Sequence, residues 1–173
     1  MKRNTTLRTA LIGALCLTGV LLATLARPAD QTTRQGALAG TWSLVAADVI
    51  RPDGTRARDY GAAPSGLLMI DSQGRYSLQI FKAERPRFAS GNKLTGTAVE
   101  FEAAALGSST HFGTVNVDRA ENTITFSVQG ASFPNWEGER QIRRYELRGD
   151  ELSYRLAPRP DGDVPISIWK RMR

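Results

Sequence analysis

The stretch Ala39-Gly40-Thr41-Trp42-Ser43-Leu44-Val45 reads as the opening strand of a small antiparallel sheet, and Ile168-Trp169-Lys170-Arg171 reads as its last. A guanidinium late in the chain can lie across the indole of a Gly-x-Trp strand, an attraction that brings the two ends together. Their meeting would close the sheet on itself.

Between these ends the pattern is one of strands. Arg51-Pro52-Asp53-Gly54 supplies a turn in which proline presets one φ and glycine accepts a positive one. After a polar loop containing Asp59 and Tyr60, residues 66–71 form a second strand and Ser72-Gln73-Gly74 its turn. In the third strand, 75–81, Tyr76, Leu78 and Ile80 alternate with Arg75, Ser77 and Gln79, the mark of a half-buried strand. A long connection through Arg85-Pro86-Arg87-Phe88 then reaches Thr97-Ala98-Val99-Glu100. That spacing is a capping box, and with an alanine-rich run behind it and Gly107 as a stop it predicts a helix over 98–106. Further strands follow at 110–118, 123–130, 140–148, 151–157 and 165–172. With the first, at 41–50, they make eight. The fold class is therefore all-β, an eight-stranded antiparallel up-and-down barrel with one short helix.

The N-terminus has a different character. Lys2, Arg3 and Arg8 precede an uncharged run from Ala10 to Ala26, the pattern of a secretory signal peptide, with an uncleaved anchor helix as the alternative. The domain reading is a signal peptide over 1–29, a flexible lead-in over 30–37 and the barrel over 38–173, with an exported (periplasmic or secreted) destination. Four of the 23 basic residues and none of the 17 acids lie in 1–29, so the formal +6 falls to +2 without them. Nucleic-acid binding loses its main support, and so does stable membrane insertion once the signal is removed. The only cysteine, Cys16, leaves with the signal, and the mature chain folds without disulfides.

Alternation sorts the remaining side chains. His111, Val115 and Val117 share a face; so do Gln141, Arg143, Tyr145 and Leu147, and Leu152, Tyr154 and Leu156. If the aliphatic residues fill the barrel, His111, Gln141 and Arg143 form a polar end inside an apolar chamber. Trp136, in a Pro-Asn-Trp-x-Gly loop, caps the mouth, binds a partner or packs locally, with Asn135 making turn hydrogen bonds. Candidate ligand-binding residues are thus Tyr76, His111, Trp136, Gln141, Arg143, Tyr145 and Tyr154.

These pieces together resemble the lipocalin-like domain proteins of bacteria and fungi. The resemblance spans nearly all of residues 38–171. It rests on Leu38-Ala39-Gly40-Thr41-Trp42, Gly66-Leu67-Leu68, Arg85-Pro86-Arg87-Phe88, Phe112-Gly113-Thr114-Val115-Asn116-Val117-Asp118, Pro134-Asn135-Trp136-Glu137-Gly138, Gln141-Ile142-Arg143, Gly149-Asp150-Glu151-Leu152 and Trp169-Lys170-Arg171. It implies a closed barrel with an interior cavity and a small apolar ligand, and it transfers no catalytic residue. His111 departs from the aromatic side chain expected before Phe-Gly-Thr.

The leading functional expectation is an exported protein binding a small, mostly apolar or amphipathic ligand with one polar or anionic end, oriented by Arg143, Gln141 or His111. One alternative is an isomerase or cyclase of the same shape using His111 and Arg143. Another is a ligand-free interaction module with a filled barrel. An inward Arg143 could instead be neutralised by Glu100 or Glu102. Arg148-Gly149-Asp150 spells an adhesion tripeptide, but it also spells a hairpin turn, which accounts for it. No cofactor is implied: Gly-x-Ser-x-Gly, Gly-x-Gly-x-x-Gly and the phosphate loop are all missing. One histidine and no mature cysteine exclude the usual metal clusters.

Overall fold

Strong alternation builds every wall of the molecule. The computed structural model describes residues 36–173. The signal-peptide reading of 1–29 and most of the lead-in fall outside the described residues. Strands β1 (Gly40–Ile50), β2 (Arg56–Ala57), β3 (Ser65–Ile70) and β4 (Arg75–Phe81) precede helix α1 (Ala98–Leu106). After it come β5 (Ser108–Asp118), β6 (Thr123–Ala131), β7 (Arg140–Arg148), β8 (Glu151–Arg155) and β9 (Val164–Arg171). Omitting the two-residue ribbon β2, each strand pairs antiparallel with the next, and β1 pairs with β9. The result is the closed eight-stranded up-and-down barrel that the pattern demands.

Closure works as the terminal residues suggest, with an addition. Trp42 pairs with Arg171 across β1 and β9, and the guanidinium lies 4.0 Å from the indole centroid. Arg171 also donates through Nη1 to the Ala39 carbonyl and through Nη2 to that of Ala37, both at 2.7 Å. The Trp42 indole N–H donates to the Leu38 carbonyl at 3.0 Å. These bonds draw the segment before β1 across one end of the barrel, where Leu38 is fully buried. That end is the base.

Two bulges set what faces inward. On β1 the register shifts between Leu44 and Ala46, so that Ala47 and Val49 are buried while Val45 is exposed. A one-residue insertion moves every later side chain to the other face. On β6 the register shifts opposite Phe112 and Gly113, which pair with Gly130 and Val128 and leave Gln129 as the extra residue. There β5 and β6 approach so closely that a Cβ on Gly113 would meet the Ser127 carbonyl oxygen and lie 3.0 Å from the Gln129 nitrogen. Backbone cannot yield as a side chain can. Gly113→Ala is therefore expected to cost about 1–3 kcal/mol, the usual penalty of overpacking, read as a lower urea midpoint; an unchanged midpoint would mean the strands part freely.

The connection between β4 and β5 carries α1. Its N-terminus is a reciprocal capping box: Thr97 Oγ1 accepts from the Glu100 N–H at 3.3 Å, and Glu100 Oε2 accepts from the Thr97 N–H at 2.7 Å. Glu100 Oε1 also accepts from the Ala89 N–H at 2.7 Å. Glu100 is thus spent on backbone and does not neutralise Arg143, nor does Glu102 form an ion pair with it. The strand expected over 151–157 is shorter than its alternation suggests. β8 stops at Arg155, and Leu156 turns in toward the barrel mouth. At the Arg148-Gly149-Asp150 turn Gly149 takes φ 59°, and Asp150 pairs with Arg173 at 2.8 Å.

Candidate functional site

Inside the barrel the aromatic residues form a column from base to mouth. Trp169 lies 6.3 Å from Tyr154, Tyr154 6.0 Å from Phe126, Phe126 4.8 Å from Tyr76 and 5.9 Å from His111, and His111 5.9 Å from Trp136. The lower part of this column, with Leu152, Ile124 and Leu68, is packed solid and fully enclosed. Above it the barrel is hollow.

The hollow is a cavity of about 510 Å³, within the range of about 300–1,000 Å³ typical of small-molecule sites. Leu78, Ile80, Leu156, Pro165 and Ile166 supply apolar wall, with Trp136 at the lip. Its floor is polar, made by His111, Gln141 and Arg143. At the rim, Asp48 pairs with Arg56 and Asp59 with Arg159, so both cavity carboxylates are already neutralised.

The floor is a single hydrogen-bonded chain. Arg143 Nη2 lies 2.7 Å from Gln141 Oε1 and 3.1 Å from His111 Nε2, and His111 Nδ1 lies 2.7 Å from the Tyr76 hydroxyl. Guanidinium only donates. His111 Nε2 must therefore accept, its proton sits on Nδ1, and Nδ1–H donates to Tyr76. Burial, reinforced by the Arg143 charge, pushes the His111 pKa down to about 3, so the ring is neutral at physiological pH. Burial pushes Tyr76 up to about 12, against the opposing pull of Arg143.

Arg143 itself is only 4% exposed and has no carboxylate partner among the described residues. It is sandwiched 4.2 Å from the Phe126 centroid and 4.9 Å from that of Tyr154. Those ring faces offset part of its desolvation. Its Nε has no hydrogen-bond partner, nor have the Tyr154 hydroxyl and the Trp169 indole nitrogen. The Tyr154 hydroxyl faces Trp169, Ser167 and Arg143.

A family model for the lipocalin-like domain matches residues 39–172. The chain belongs to the lipocalin-like domain family. No curated protein matches it.

In this lipocalin-like barrel the seven residues singled out by alternation fall into two groups. His111, Trp136, Gln141 and Arg143 border the cavity; Tyr76, Tyr145 and Tyr154 do not. Tyr76 lies behind the floor as the partner of His111, and Tyr154 lies beneath it in the packed column. Tyr145 is 9% exposed, and its field comes from Arg119 and Asp118 in the β5–β6 turn, at the opposite end from the mouth. Period-two alternation tells inward from outward but not base from mouth. Trp136 makes edge contacts with both His111 and Phe133. Its loop is tied by Glu137 Oε1, which accepts from the Ala131 N–H at 3.3 Å, whereas Asn135 makes no side-chain hydrogen bond. Sequence reasoning passed over Tyr60 and Ser167 as cavity residues. An aromatic side chain in the otherwise polar 55–64 loop was the one available signal for Tyr60, which packs against the core cluster.

Proposed function

We propose that this exported lipocalin-like protein binds and carries a small molecule whose apolar body fills the upper half of the barrel and whose polar end rests on the Arg143–Gln141–His111 floor. The observation behind this reading is the division of the interior: solid at the base, hollow at the mouth, with a polar floor between. Burying the apolar body contributes about 25 cal/mol per Å², from which the cost of immobilising the ligand is subtracted. Chemistry on the ligand by His111 is disfavoured by its geometry, because both ring nitrogens are engaged inside the wall.

Tryptophan emission provides the test. Trp42 and Trp169 are fully buried at the base, and Trp136 alone of the three borders the cavity. Titration with a medium-chain or aromatic apolar ligand is expected to give a saturable emission change that Trp136→Phe removes, while calorimetry still detects binding to that variant. A folded protein that shows neither signal with any ligand class would refute the carrier reading.

A further inference from the structure

The floor of the cavity presents a buried cation beside a side-chain amide. Arg143 Nη2 is bonded to Gln141 Oε1 and to His111 Nε2, which occupies the only lone pair of that ring nitrogen. Accepting from Arg143 fixes the Gln141 amide with its NH2 group free. The guanidinium spends only Nη2 on these bonds, which leaves Nη1 for a ligand. Arg143 is also the one cation bordering the cavity interior that is nine-tenths buried and lacks a counter-charge among the described residues. A buried, unneutralised charge is costly unless something supplies its opposite.

One buried, uncompensated positive charge defines its complement. We infer that the ligand is a monoanion, an apolar molecule bearing a single carboxylate that docks against Arg143 and the Gln141 amide. This rests on the carrier reading and specifies its ligand. Carboxylate is an acceptor-only group that takes charge-assisted hydrogen bonds from a guanidinium and an amide NH2. A phosphate monoester carries close to two charges at neutral pH, and the floor offers one buried cation, Arg140 at the same cavity being exposed to solvent. A neutral alcohol or ester would leave the guanidinium unneutralised, and an amine would meet it with like charge. The rim carboxylates do not compete, because Arg56 holds Asp48 at 2.6 Å and Arg159 holds Asp59 at 2.7 Å.

The test uses three probes sharing one apolar body: decanoate, decanol and decyl phosphate, titrated calorimetrically into the protein at pH 7.5. Decanoate is expected to bind at least tenfold more tightly than decanol, with decyl phosphate weaker than decanoate. Gln141→Glu places a carboxylate where Arg143 can reach it, and should collapse the decanoate-over-decanol ratio toward one; Arg143→Gln should do the same. Should either variant misfold, the wild-type protein still decides. With [1-13C]decanoate bound, the carboxyl resonance should titrate well below the range of the free acid, because Arg143 favours the anion. Equal affinity for decanoate and decanol, or an unshifted bound carboxyl, overturns the monoanion inference and leaves the carrier reading standing. If no probe binds, both fall together.

Discussion

Trp42→Ala is expected to destabilise the protein by about 3–5 kcal/mol, the range for truncating a buried aromatic side chain. That is a large fraction of the 5–15 kcal/mol that holds a typical domain folded. Trp42 is fully enclosed, donates to the Leu38 carbonyl, pairs with both Leu68 and Arg171, and carries the Arg171 guanidinium on its face. Its removal opens a void at the seam where the last strand meets the first and frees the 37–39 segment that plugs the base. Thermal unfolding followed by circular dichroism reads the loss as a fall of roughly 10–20 °C in Tm. Arg171→Met should cost less, about 1–3 kcal/mol, because the indole stays buried while the stack and two bonds to backbone carbonyls are lost. An equal or larger effect of Arg171→Met would mean that the cation, rather than packing at the seam, holds the ring shut.

The second large effect is on pH. His111 is the only histidine in the chain, and its folded pKa of about 3 lies far below the unfolded 6.5. Between these values the unfolded state binds a proton that the folded state refuses. Stability is then full above pH 6.5 and is lost as pH falls toward 3, at about 1.4 kcal/mol per pH unit and approaching roughly 5 kcal/mol in total. The carboxylates whose pKa values are lowered, Asp53, Asp71, Glu100 and Asp150, act in the same direction. Each is lowered from an ordinary value of 3.8 or 4.5, so the window from pH 6.5 to 4.5 belongs to His111. Urea midpoints across that window should slope in the wild type and flatten in His111→Gln. A flat wild-type profile would show that the imidazole is solvated and the floor chain open.

Much of this architecture could be read without coordinates, for local reasons. A strand facing a core on one side must alternate, and Arg75–Phe81 does. The capping box at Thr97 and Glu100 needs only four consecutive residues and appears as spaced. The Trp42–Arg171 stack is a contact between distant positions, but both partners are chemically distinctive and sit in the first and last strands. The site was half legible. His111, Gln141 and Arg143 stand out because polar residues at inward positions break an apolar pattern. Their order along the barrel axis was not legible, and so the three tyrosines were grouped with them although none borders the cavity.

The amino-acid sequence alone determined the number of barrel strands, their order and the identity of the polar inward side chains, because each follows from periodicity or turn chemistry within about ten residues; it signalled the closure of the ring through Trp42 and Arg171, whose stacking chemistry is distinctive even at long range. Only the tertiary structure decided how far up the barrel the packing reaches, which way Gln141 turns, and that Arg143 has no acidic partner. Those depend on strand stagger and on two one-residue bulges, at Val45 and Gln129. A bulge shifts which side chains across the ring share a level, and nothing in the flanking sequence announces it.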